Sequence, residues 1–92
     1  MTTKQLRDLN TIIEHYGHAR QEMKVIEECS ELIEAICKVD EAVYRRECVI
    51  DEIADVVIMC NQLGIIFDCL GEVEERIDFK IKRQLERMEK GE

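Results

Sequence analysis

Glu27-Glu28-Cys29-Ser30-Glu31-Leu32 and Asp51-Glu52-Ile53-Ala54-Asp55-Val56 bound the stretch whose reading decides the fold. In each, one acidic residue stands three places before another: Glu28 before Glu31, and Glu52 before Asp55. Residues three apart on a helix are neighbours on one face. Two such helices, folded back on each other, aim four carboxylates at one point. Converging carboxylates make a poor core and a good cradle for a hard divalent cation.

The residues around the two pairs support a helical hairpin. A helix is expected from about Ala19 to Val39, with Val25, Ile26, Cys29, Leu32, Ile33 and Ile36 forming one apolar stripe. At ~100° per residue, Glu28 falls on the edge of that stripe and Glu31 further round. Glu27 and Glu34 lie near the far side. Glu28 and Glu31 are therefore the inward candidates, set against the plain alternative of a solvated acidic face. The next helix is expected from about Glu41 to Phe67. Val49, Ile53, Val56, Met59, Cys60, Leu63 and Phe67 share a face. Ile50, Val57, Ile58 and Ile66 extend apolar character nearly all round, which predicts a helix covered on most sides. Glu52 falls inside the stripe and Asp55 one step beyond its edge. A buried carboxylate needs a partner or a metal. The structural alternative is a salt bridge to Arg45, Arg46 or a C-terminal lysine. Lys38 to Tyr44 hold the turn, where Asp40 can cap the following helix with Glu41 in its first turn.

Outside the hairpin, Leu6, Leu9, Ile12 and Ile13 predict a first helix from about Thr3 to Tyr16, ended by Gly17. His15 and His18 near that end read as a cap or solvated turn, or as substrate contacts. Asp68 to Gly71 make a turn. A fourth helix then opens on Glu72, Glu74 and Glu75 and closes on Lys80, Lys82, Arg83, Arg87 and Lys90. That order of charge complements the helix dipole. Val73, Ile77, Ile81, Leu85 and Met88 predict a core-facing seam, and Lys90-Gly91-Glu92 a frayed tail. The expectation is one all-α domain over residues 1–92, four helices joined by short turns. There is no internal repeat, low-complexity segment or linker.

Composition agrees and narrows the function. The chain has 92 residues, no proline and few aromatics, which suits helices better than a sheet. A domain this small buries a modest fraction of its surface, so oligomerisation is expected. The net charge of −8 argues against nucleic acid or an anionic membrane as a general partner. The five cysteines (29, 37, 48, 60, 69) contain no CxxC and no zinc-ligand spacing. They read as small, reduced core residues, which points to a cytoplasmic protein. The N-terminus lacks the apolar run of a signal peptide, and no stretch is long and apolar enough to span a membrane.

The chemistry open to such a site follows from its donors. Mg²⁺ takes oxygen ligands and keeps coordination positions for phosphate oxygens. A metal bridging phosphates neutralises charge in a displacement at phosphorus, and a spare carboxylate can orient or deprotonate the attacking water. Lys80 and Arg83, three apart on the fourth helix, are candidates for holding the outer phosphates. A di-iron carboxylate bundle would need Glu-x-x-His motifs. Ile12 and His15 stand three places before the two histidines, so the chain lacks those motifs and that reading is disfavoured.

Glu27-Glu28-x-x-Glu31, a gap of twenty residues, then Glu52-x-x-Asp55 resembles the all-α nucleoside triphosphate pyrophosphohydrolases, the MazG-like group. The stretch Ile77-Asp78-Phe79-Lys80-Ile81-Lys82-Arg83 is similar to the basic C-terminal helix of its small phage-type members. The resemblance covers roughly residues 12–88. It implies hydrolysis of a (deoxy)nucleoside triphosphate to monophosphate and pyrophosphate, as in nucleotide-pool cleaning. It implies Mg²⁺, or Mn²⁺, held by Glu28, Glu31, Glu52 and Asp55, with Glu27 matching the first acidic position of the motif. Lys80 and Arg83 would contact phosphate. Tyr16, Gln21, Met59 and Gln62 are the candidates for the nucleobase pocket. A homodimer or homotetramer, with neighbouring subunits completing bundle and pocket, is also implied. Two other readings stand beside it: a non-catalytic helical oligomerisation or regulatory module, and the same fold acting on another pyrophosphate-linked compound.

Overall fold

The computed structural model describes residues 1–38 and 42–91, for residues 42–44 the backbone alone. It is all-helical: α1 Thr3–Tyr16, α2 His18–Cys37, α3 Ala42–Ile66 and α4 Leu70–Glu89. The four expected helices are found within a few residues of their expected ends. The proposed Asp40 cap with Glu41 lies outside the described residues.

Local chemistry sets most of the boundaries. Thr2 begins α1 with a reciprocal cap. Its hydroxyl accepts from the Gln5 N–H at 3.1 Å, and the Gln5 side chain accepts from the Thr2 N–H at 2.8 Å. Gly17 ends α1 and starts α2 alone, at φ 94°, a conformation that only glycine adopts without strain. Its N–H donates to the Ile13 carbonyl at 2.7 Å, and its own carbonyl accepts from Gln21 at 3.2 Å. At the end of α3 the chain turns through a Schellman motif. Cys69 N–H donates to Gly64 O at 2.8 Å, Asp68 N–H donates to Ile65 O at 3.1 Å, and Asp68 takes the left-handed φ of 52°. The corner is tight on its inner side: a Cβ built on Gly64 would lie 2.5 Å from Leu70 Cδ2 and 3.1 Å from Leu70 Cγ. Gly64→Val is therefore expected to cost about 1–3 kcal/mol by overpacking. Chemical denaturation checks this; an unchanged midpoint would mean that Leu70 yields freely.

Packing is dominated by the α2–α3 hairpin, with α1 laid against both. Leu9, Ile13 and Met59 are the buried apolar residues at the centre of this three-helix unit. In contrast, among the described residues α4 touches only α3 and projects from the rest. The Cα radius of gyration is 16.1 Å, against roughly 12 Å for a compact chain of this length. The accessible surface is 7464 Å², against roughly 5,500 Å² for a folded monomer of this mass.

Several expectations about covering are corrected here. The α4 seam of Val73, Ile77, Ile81, Leu85 and Met88 does not face a core within the chain, because every one of its members is exposed. On α2, Ile26, Ile33 and Ile36 are exposed as well. The helix expected to be covered on most sides, α3, leaves Ile50, Ile53 and Val57 open, and Phe67 just past its end is exposed too. Of the cysteines, Cys37 and Cys60 are exposed and Cys29, Cys48 and Cys69 half-buried, all with free thiols. The physical reason is common to all: a periodic apolar stripe marks a face that favours leaving water, and one chain of four helices in this arrangement has nothing to lay over it.

Candidate metal and nucleotide site

Glu28 and Glu31 on α2 meet Glu52 and Asp55 on α3, each offering a carboxylate oxygen within 4.8 Å of the others. The register of the hairpin produces this. Residues 28 and 55, and residues 31 and 52, lie symmetrically about its turn, so each acidic residue of α2 faces one of α3. Glu27 and Glu34 point outward and are exposed. Lys38 pairs with Glu34 on that outer face.

The cluster is poorly neutralised. Lys24 Nζ stands 3.8 Å from Glu28 Oε1, but Glu28 Oε2 is buried and has no hydrogen-bond partner among the described residues. Glu52 Oε2 is likewise buried and unpartnered. Among the described residues, no salt bridge joins the cluster to Arg45, Arg46 or a C-terminal lysine. Arg45 instead donates to the Ile36 carbonyl at 3.4 Å, and Arg46 lies 3.8 Å from Glu47. Glu28, only 9 % exposed, has its carboxyl pushed up to about 6 by burial and by the neighbouring Glu31 and Asp55 carboxylates, against the pull of Lys24. Burial, with Glu31 and Asp55, also raises Glu52.

These shifts have a defined sign. Glu28 holds its proton more tightly in the fold, at about 6, than in the unfolded chain, at 4.5. Its contribution to stability is whole below pH 4.5 and lost as pH rises through about 6. The metal-free protein is therefore expected to lose thermal stability between these values, and Glu28→Gln to flatten that fall. Thermal unfolding in chelator across pH checks both. Parallel profiles for variant and wild type would dissociate the carboxyl from the effect.

The cluster opens onto a cavity of about 340 Å³ between α1, α2 and α3. Tyr16, Gln21, Met59 and Gln62, the four candidates for a nucleobase pocket, all line it together with Glu28 and Asp55. Gln62 is 1 % exposed and Gln21 3 % exposed. Gln62 Oε1 has no hydrogen-bond partner. Leaving such an atom unsatisfied costs about 1–3 kcal/mol, which is tolerated where a ligand supplies the partner. Tyr16 stands at the rim, with Arg20 over its ring at 5.4 Å and His15 edge-on at 4.6 Å.

Lys80 and Arg83 are not among the residues that line this cavity. They lie on the projecting α4, where the Arg83 guanidinium covers the Phe79 ring at 5.5 Å. The basic residues on the cavity wall are Arg20 and Lys24. Sequence reasoning missed them, although the signal was present. Gln21, Lys24, Glu28 and Glu31 recur every three or four residues along one face of α2.

No family model matches the chain, and neither curated proteins nor solved structures give a significant match.

Proposed function

We propose that the chain is a Mg²⁺-dependent nucleoside triphosphate pyrophosphohydrolase of the MazG-like type. The observation that carries this reading is the pair of buried, unpartnered oxygens of Glu28 and Glu52 inside a four-carboxylate cluster that borders a cavity. The donor set fits a hard ion: all oxygen, with no histidine or thiolate among the four. Glu28, Glu31, Glu52 and Asp55 would hold Mg²⁺ or Mn²⁺. The ion would supply charge neutralisation on the bridging phosphates and lower the barrier to displacement at phosphorus.

The remaining work falls to the protein's own groups. Arg20 and Lys24, on the wall beside the cluster, draw the polyphosphate in and offset its charge. A carboxylate of the cluster takes the proton of the attacking water. The water oxygen bonds to phosphorus, the α–β bridging P–O bond breaks, and pyrophosphate leaves with the electron pair. The apolar floor at Met59 and Ile58 excludes water from the sugar and base. Lys80 and Arg83 enter this account only from a second copy of the chain.

A homodimer or homotetramer is part of the proposal. Seventeen large apolar side chains are exposed among the described residues, and the surface exceeds that of a compact monomer by roughly 1,900 Å². That excess is more than each partner of a standard interface gives up. The same exposed faces favour the second reading, a non-catalytic helical module. The two separate in one assay. Purified protein with Mg²⁺ and a dNTP panel should release pyrophosphate, and a non-hydrolysable nucleotide with Mg²⁺ should raise its melting temperature. No release on any triphosphate, with no nucleotide-dependent stabilisation, would leave the module.

A further inference from the structure

Among the described residues, Lys24 is the only cation within ion-pairing distance of the carboxylate cluster. It stands one helical turn before Glu28, with Nζ 3.8 Å from Glu28 Oε1. The two partners differ in freedom. The Glu28 side chain is 12 % exposed, whereas that of Lys24 is 48 % exposed and turns on a flexible stem. Arg20, the other base on the cavity wall, is engaged elsewhere, over the Tyr16 ring. Lys24 also borders an opening on the outer side of α2, beside Met23, Ile26 and Glu27. It thus sits between cluster, cavity and solvent, free to leave Glu28 without moving a helix.

One lysine does not satisfy the cluster. Glu28 Oε2 and Glu52 Oε2 remain buried and unpartnered among the described residues. Its charge still acts on whatever approaches: it opposes a dication at the same carboxylate and attracts a polyanion in the cavity. We infer that Lys24 is an exchangeable counter-ion of the cluster, which holds Glu28 until a metal ion takes that carboxylate and then passes to the polyphosphate. The inference rests on the site binding metal and polyphosphate, and adds how the two are coupled. An ammonium and a dication compete for one carboxylate, so Lys24 weakens binding of the ion alone. Once a phosphate holds the ammonium, the competition ends. Polyphosphate therefore strengthens the ion's binding beyond the metal–phosphate bond itself, and the ion does the same for polyphosphate. A lysine acting on phosphate alone would leave the affinity for the bare ion untouched. One serving only to pack α2 would, when removed, weaken both ligands.

Two titrations of the full chain test this: Mn²⁺ alone, followed by electron paramagnetic resonance of the free ion, and inorganic tripolyphosphate at saturating Mn²⁺, followed by calorimetry. Lys24→Met keeps most of the stem and removes the charge. The variant is expected to bind Mn²⁺ alone roughly 3- to 10-fold more tightly than wild type, a gain that shrinks as KCl is raised. It is expected to bind tripolyphosphate roughly 10-fold more weakly. Lys24→Arg, which keeps the charge, should stay near wild type in both titrations. Lys38→Met, which removes a cation paired with Glu34 on the outer face, should change neither. Unchanged or weakened Mn²⁺ binding in Lys24→Met overturns the inference while the metal site stands. Unchanged tripolyphosphate binding in that variant overturns it as well, because the released lysine then has no phosphate to go to. A wild type that binds neither Mn²⁺ nor tripolyphosphate removes the underlying reading, and the inference with it.

Discussion

Glu52→Gln is expected to lower pyrophosphate release by roughly 10³-fold, while the protein stays folded. The residue is half-buried among three other carboxylates, and burial with that repulsion holds its pKa above the usual range. Removing the charge therefore relieves the metal-free fold. The variant should melt at a higher temperature than wild type in chelator, and gain less from Mg²⁺ and a non-hydrolysable nucleotide. Loss of activity with a gain of apo stability is the signature of a functional charge held against its own preference. As a control, Asp8→Asn on the outer surface, where it pairs with Lys4, should move neither readout. Turnover at the wild-type rate in Glu52→Gln would refute the assignment.

The second large effect concerns α4. Ile81→Glu is expected to convert an oligomer into a 10.8 kDa monomer in sedimentation experiments at micromolar concentration. Each two-fold interface contains the position twice. Losing two buried isoleucines is worth on the order of 4 kcal/mol, roughly 10³-fold in Kd, before the cost of burying a charge. If the seam binds a second copy, hydrolysis should fall with the oligomer, because Lys80 and Arg83 ride on the same helix. A wild type that sediments at the mass of one chain would end this account of the exposed faces.

What was legible in the sequence divides along a physical line. The helix ends were readable because Thr2, Gly17 and the Asp68 corner act locally, through hydrogen bonds and φ angles that neighbouring residues determine. The four carboxylates were readable because helical spacing fixes which side chains share a face. Their unpartnered oxygens were not, since that depends on where Arg45 and Arg46 turn. Periodicity identified the stripes at Ile33, Ile53 and Ile77 as faces that favour burial, and could not say which molecule covers them. Arg20 and Lys24 are less conspicuous in the sequence than the basic run on α4, because clustered charge stands out more than charge placed singly along a helix. The cavity residues Tyr16, Gln21, Met59 and Gln62 were named from resemblance. Two of the four, Gln21 and Gln62, sit at symmetric distances from the hairpin turn, a regularity the sequence already contained.

The Schellman corner at Asp68 sets the direction in which α4 leaves the rest of the chain. A helix anchored to its own body at a single bend is an exchangeable arm. Two chains that trade arms reciprocally close into a finite particle, whereas the same arms aimed differently would link chains head to tail without end. The angle set by one left-handed aspartate would thus decide whether such an exchange closes or runs on.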